Sequence, residues 1–234
     1  MPARISIIIP TLNAADTLPH CLEALIEGLG EGLIRELIVS DGGSVDATLQ
    51  IADAAGADVQ SGAASRGAQL RRGAAAAQGE WLLFLHADTM LSAGWAKVVA
   101  AHIGVQNGPA WFRLEFDAPG FAPWFVAGWA NIRAGVFGLP YGDQGLLVSR
   151  TDYNAAGGYP DQPLMEDVAL VRALTGLCGL RVQARTSAVR YNRDGWFRQG
   201  SRNLWTLARY LGGANPEVLA ESYRSANSAD KNTT

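Results

Sequence analysis

The sequence predicts an α/β sandwich with a mostly parallel central sheet flanked by helices. Three observations carry that prediction. Short apolar runs, RISIII (4–9), ELIVS (36–40) and WLLFL (81–85), have the length and β-branched or aromatic content of strands covered on both faces. Segments with apolar residues at helical spacing lie between them. The joining loops are as short as those of βαβ units.

Each element follows from local chemistry. The first strand is ended by Pro10. Leu18, Leu22, Leu25, Ile26 and Leu29 then share one helical face, and Pro19 is tolerable only in a first turn. GLGEG (28–32) breaks this helix as a C-terminal turn. The second strand stops at Asp41-Gly42-Gly43-Ser44, where Ser44 is placed to cap the next helix with Asp46 in its first turn. A short strand near 57–59 leads to an alanine-rich helix over 65–78, then to WLLFL, then to a helix over 92–103. Farther on, AWFRLEF (110–116) alternates like a strand, and Phe121, Phe125, Trp129, Ile132 and Val136 fall at helical spacing as a core stripe. GLLVS (145–149) and RVQA (181–184) read as strands, and PLMEDVALVRAL as a helix that starts near Glu166 and Asp167. An arginine-rich amphipathic helix spans 195–211, and a polar tail from 219 to 234 is expected to be disordered. The chain reads as one domain over 1–218, with halves 1–105 and 106–218.

Bulk properties narrow the function. A net charge of -3 argues against general nucleic-acid binding. Two cysteines, Cys21 and Cys178, show no CxxC or zinc spacing and read as reduced core residues, which suits the cytoplasm. The N-terminus enters a strand at once, unlike a signal peptide, and no uninterrupted apolar run reaches 18 residues.

In an open parallel sheet the ligand lies at the carboxyl ends of the strands. Polar residues stand there at three places: Thr11 and Asn13 after the first strand, Asp41 after the second, and His86 and Asp88 after WLLFL. Side chains alternate along an extended segment, so His86 and Asp88 point the same way, toward a cation or an anionic ligand. No GxGxxG follows the first strand, which disfavours dinucleotide binding.

The ordered set IIIPTLN, SDGGSVD, SRGAQLRRG, LHAD, YGDQG and MEDVAL resembles the family 2 glycosyltransferases, in particular a soluble bacterial subgroup with HAD in place of DxD. The resemblance runs from about Ile5 to Leu211. It implies a GT-A-like, Rossmann-type sandwich and an inverting transfer of a sugar from a nucleotide diphosphate-sugar, a UDP- or GDP-sugar, to a hydroxyl acceptor. By the same resemblance Pro10, Thr11 and Asn13 line the nucleotide pocket, Asp41 accepts from the base, and Arg66 with Gly67 approaches the base or ribose. Asp88 matches the last acid of DxD and would hold a divalent cation, Mn²⁺ or Mg²⁺, on the diphosphate. His86 replaces the first acid, and as an imidazole it suits Mn²⁺ better than Mg²⁺.

Asp167 matches the catalytic base, with Glu166 orienting the acceptor or the base. Tyr141, Gly142, Asp143, Gln144 and Arg202 fall where donor sugar or acceptor would be met. Seven arginines and one acid between Arg181 and Arg209 suit a phosphate, either the donor's or that of a lipid-linked acceptor, and peripheral contact with the inner face of a membrane is a further reading of that stretch. Two rival functions share much of this pattern: a sugar-phosphate nucleotidyltransferase and a non-catalytic nucleotide-sugar-binding module. PTLNAADT lacks the basic residues the first usually carries in its Gly-rich loop.

Overall fold

The structure is a computed structural model. It describes residues 4–105 and 108–229, without the side chains of 224–229. In chain order its elements are β1 (Ile5–Thr11), α1 (Leu18–Gly30), β2 (Ile34–Asp41), α2 (Thr48–Ala54), β3 (Asp58–Ser61), α3 (Arg66–Ala76), β4 (Trp81–Phe84), β5 (Thr89–Leu91) and α4 (Trp95–Gly104). The second half adds β6 (Ala110–Phe116), α5 (Phe121–Phe137), a 3₁₀ turn (Gly142–Gln144), β7 (Leu146–Ser149), α6 (Arg150–Ala155), α7 (Glu166–Ala173), β8 (Cys178–Thr186), α8 (Val189–Asp194), α9 (Trp196–Leu211) and α10 (Pro216–Ala229).

One sheet holds all eight strands in the order β3-β2-β1-β4-β7-β6-β8-β5. β3, β2, β1 and β4 pair in parallel, and β8 runs parallel to β6. The antiparallel pairs are β4 with β7, β6 with β7 and β5 with β8. Residues 85–88 alone link β4 to β5, although the two strands stand four places apart, so the sheet curls round to be spanned by so short a link.

Helices cover both faces. Ile5, Ile7 and Ile9 point to a core shared with α1 and α4, in which Trp95 is fully buried and donates from Nε1 to Ala24 O at 2.9 Å. Ile8 points the other way, onto Leu70 and Ala74 of α3 and Leu170 and Val171 of α7. The apolar runs of the first half are thus buried on both sides, as their composition predicts.

Several elements depart from expectation. Ser44 does not cap α2, which begins only at Thr48; its hydroxyl turns to Asp41 instead, and Asp46 accepts from Thr48 N and Ala15 N just ahead of the helix. β5, α6 and α10 have no counterpart in the sequence pattern, and α8 is separate from α9. Cys178 is exposed at the start of β8, not in the core, while Cys21 is buried. The tail expected to be disordered from 219 is helical as far as Ala229, with Leu219 and Ala220 buried; 230–234 lie outside the described residues.

The largest departure is α5. Its inward face is the small-residue stripe Ala127, Ala130 and Ala134 with Arg133, which lets the helix approach β6 closely. Asn131 ties the two together, accepting from Leu114 N at 2.8 Å and donating to Leu114 O at 3.1 Å. The large residues expected as core, Phe121, Phe125, Trp129, Ile132 and Val136, therefore face outward. Among the described residues no helix is long and apolar enough to cross a membrane.

Candidate functional site

Register places the site. Thr11 pairs with Asp41, and Asp41 with Ser61, so the carboxyl ends of β1, β2 and β3 form one rim. β4 ends beside them and releases His86, Ala87 and Asp88 across the same edge.

On the β1–β3 side a network is already closed. Asp41 is 1% exposed. Its oxygens accept from Thr11 Oγ1 (2.9 Å), Gly43 N (2.7 Å), Ser44 N (2.8 Å) and Ser44 Oγ (2.5 Å). Those bonds, from Ser44 first, hold its carboxyl below the usual carboxylate range despite burial. Four acceptor positions are thus used within the chain, and a base N–H would reach Asp41 only by displacing a hydroxyl. Asn13, in the left-handed region at φ 51°, donates from its N–H to Ser44 Oγ and accepts from Val45 N, stapling the two loops. Gln69 Nε2 donates to Thr11 O (2.7 Å) and Ser40 O (2.9 Å), and Arg72 Nη2 donates to Asp41 O (2.8 Å). Sequence reasoning did not single out Gln69 or Arg72, because a helix supplies them to the strand ends only in the folded chain. Pro10 closes this rim half-buried, as the one β1 residue that is not fully covered.

Gly67 is buried and has a packing role. A Cβ there would stand 2.2 Å from Pro160 O, so the chain at 160–162 crosses directly over it. The absence of a side chain serves that crossing. Arg66 beside it is 44% exposed and reaches Glu166 Oε1 at 3.7 Å.

The second half brings the acids. Gly142 N donates to Asp167 Oδ2 at 2.7 Å, so the 3₁₀ turn is pinned to the start of α7. His86 packs on that turn: a Cβ on Gly142 would meet its Nε2 at 2.5 Å. Burial, and then the charges of Arg66 and Arg190, hold the His86 imidazole down to about 3, so it is neutral at pH 7. Asp143 Oδ1 is buried without a partner, and burial first, opposed by Arg133 and reinforced by Asp167 and Asp88, raises its carboxyl to about 6. Gln144 is fully buried and serves the turn, accepting from Tyr141 N and Arg133 Nη2, both at 3.3 Å. Arg133 also stacks 3.4 Å over the Tyr141 ring.

Glu166 is 2% exposed and its Oε2 has no partner; burial and the neighbouring Asp167 raise its carboxyl well above the usual range. Met165 before it is held left-handed at φ 62°, a conformation costing about 1 kcal/mol in a non-glycine residue, and this turn delivers both acids to the site. A raised carboxyl pKa means that the folded state holds its proton more tightly. The stability this provides is complete below the unfolded pKa and is lost as pH rises toward neutrality and beyond. Glu166→Gln should therefore melt higher than the parent at pH 8, with the gain shrinking toward pH 4.5; each kcal/mol of ionisation cost removed is worth about 2–4 °C. Calorimetric melting across that range checks it.

His86, Asp88, Asp143, Glu166 and Asp167 thus gather around Arg66. Arg202 is half-buried on α9, with its charge near Asp194. Among the described residues, no three His, Cys, Asp or Glu side chains converge to hold a metal ion by themselves. Asp88 and the unpartnered Asp143 Oδ1 are nevertheless anionic oxygen donors close enough to feel each other, and hard cations at phosphate sites need only one or two carboxylates beside phosphate oxygens and water. The donor set fits a cation that arrives with a diphosphate. A small cavity lined by Phe84, His86, Gly142, Tyr159, Glu166 and Asp167 lies next to it.

Residues 6–107 match the family described as Glycosyl transferase family 2, a span running from β1 past α4. Over 111 residues the chain is 40% identical to a PGL/p-HBAD biosynthesis glycosyltransferase of Mycobacterium bovis, an alignment that covers 42% of this chain and 41% of that protein. The chain thus spans about two fifths of the length of the curated relatives it matches. S. aureus TarS 1-349 superposes with a TM-score of 0.61 at 16% identity, over 87% of this chain and 64% of that one. Glucosyl-3-phosphoglycerate synthase from Mycobacterium tuberculosis, solved with Mn²⁺, UDP and glucosyl-3-phosphoglycerate, superposes with a TM-score of 0.51 at 23% identity, over 79% of this chain and 70% of that one. Both likenesses show the fold.

Proposed function

We propose, on the match of residues 6–107 to glycosyl transferase family 2, that the chain is a transferase of that kind and moves a sugar from a nucleotide diphosphate-sugar to a hydroxyl acceptor with inversion at the anomeric carbon. The observation that carries this reading is the gathering of Asp88, Asp143, Glu166 and Asp167 around Arg66 and His86 at the carboxyl end of a parallel sheet. The half 1–105 binds the donor and the half 106–218 forms the acceptor side. The rim made by Pro10, Thr11, Asn13 and the Asp41 loop holds the nucleoside, a uridine or guanosine. A UDP complex of TarS, a structure of the same fold, supports uridine.

Asp88, with His86 beside it, would hold a divalent cation, Mn²⁺ or Mg²⁺, which when bound neutralises the charge that builds on the departing diphosphate. Arg66 adds a cation on the same side. Asp167 accepts one backbone bond on each oxygen, from Gly142 N and Val168 N, and keeps acceptor capacity toward the cavity. It takes the acceptor's hydroxyl proton as the oxygen attacks the anomeric carbon and the bond to the diphosphate breaks. The buried Glu166 braces Arg66 and lines the same cavity.

Calorimetric titration with UDP, GDP and their sugars, with and without Mn²⁺ or Mg²⁺, tests the donor site. Micromolar binding to one nucleotide that requires the metal is expected, and Asp88→Ala should remove the metal-dependent part. Metal-independent binding, or binding unchanged in Asp88→Ala, would withdraw the ligand role. Release of pyrophosphate in place of a nucleoside diphosphate during turnover would point to the nucleotidyltransferase reading.

A further inference from the structure

The outward face of α5 does not stand alone. Phe121 lies 5.8 Å from Trp124 and 5.9 Å from Phe125, ring to ring, and Phe125 lies 6.1 Å from Phe197 of α9. Trp129 of α5 and Leu204 of α9 line one cleft between the two helices, and Val136, Phe137 and Trp205 are exposed on the same helices. Trp124 and Trp205 are 69% and 67% exposed. A contiguous apolar surface of this kind marks an interaction site, since scattered exposed residues would not touch one another.

Charge decides among occupants. α5 carries no acid or lysine, and its one charged residue, Arg133, is turned inward. From Val189 to Leu211 there are five arginines, at 190, 193, 198, 202 and 209, against the single acid Asp194. A second copy docking face to face would set two arginine-rich stretches against each other. An anionic bilayer complements them, and tryptophan and phenylalanine are the side chains that settle at its headgroup level. No described helix can span a bilayer, which leaves attachment in the interface plane.

We propose that the joined faces of α5 and α9 dock on the surface of an anionic lipid bilayer. Trp129 and Leu204 belong to this face and also line a cleft that runs inward past Arg133 and Tyr191 to Asp143. Docking therefore presents the mouth of the acceptor side to the membrane, and an acceptor hydroxyl on a bilayer-anchored molecule would enter without leaving the lipid. That last step rests on the glycosyl-transfer reading, whereas the binding itself does not.

Co-sedimentation with vesicles, without donor or metal, tests the binding alone. The full chain should bind vesicles of phosphatidylcholine with phosphatidylglycerol, weaken as salt rises, and bind pure phosphatidylcholine far less. The double variant Trp124→Ser/Trp205→Ser should lose affinity by about tenfold or more while its melting temperature holds, because both rings stand in solvent in the free protein. No binding to either vesicle would overturn the proposal. So would a dimer, seen by light scattering, that the double variant dissolves while vesicle binding is absent; the face would then join two copies of this chain.

Discussion

Gly67→Ala is expected to destabilise the fold by about 3 kcal/mol or more, and to leave little folded protein in a chain of ordinary marginal stability. The added methyl would stand 2.2 Å from Pro160 O and 2.9 Å from both Gln162 N and Gln162 O. All three are backbone atoms, and no rotamer change relieves the overlap. The segment 160–162 would have to lift off the start of α3. Ser65, which donates to Asp161 Oδ1 at 2.9 Å, would lose that bond, and the Arg66–Glu166 pair would be pulled apart from the same end. Denaturant unfolding of the variant checks the figure. Gly142→Ala makes a useful contrast, because the obstacle there is the His86 ring, a side chain, at 2.5 Å. A loss below about 1 kcal/mol for Gly67→Ala would mean that the 160–162 crossing is loose, and that Gly67 is free to face a ligand after all.

Asp167→Asn is expected to lower turnover by roughly 10²–10⁴-fold while the affinity for the nucleotide diphosphate-sugar is kept. The amide oxygen can still accept from Gly142 N, which keeps the tie to the 3₁₀ turn at the cost of the bond from Val168 N, and the loss of turnover at kept donor affinity reports the missing proton acceptor. Donor affinity and kcat, measured on the same preparation, separate the two effects. If the variant keeps most of its turnover, the base is Glu166, whose buried and unpartnered Oε2 and raised pKa already suit a proton acceptor near neutral pH. Glu166→Gln would then carry the loss, and would also remove the acid limb from the pH profile of kcat.

The strand ends of the first half were legible because they depend on neighbours in sequence. An isoleucine run, a proline and a turn of aspartate with two glycines mark β1 and β2 wherever they fold, and parallel pairing then aligns Thr11 with Asp41. The acids at 166 and 167 were legible as a pair with separate roles, but their unlike surroundings were not. One is 2% exposed with a free oxygen, and the other holds a backbone N–H from a turn 25 residues away. Ser44 was misread for a different reason, since both uses of its hydroxyl were local, as a cap for the next helix or as a donor to Asp41 three residues earlier, and the second prevails.

By itself the sequence determined the alternation of strands and helices, the rim where polar residues collect, and the motifs that carry the resemblance to family 2 glycosyltransferases. Those properties come from periodicity and turn chemistry, which act over a few residues. Only the tertiary structure decided which face of α5 is covered, that Asp41 is already saturated, that Gly67 serves a chain crossing, and that an apolar surface with arginines beside it stands open. A helix with alanines on one side and aromatic rings on the other satisfies the same spacing either way. Close approach to β6, which the alanines allow and the rings would prevent, settled which side turned in.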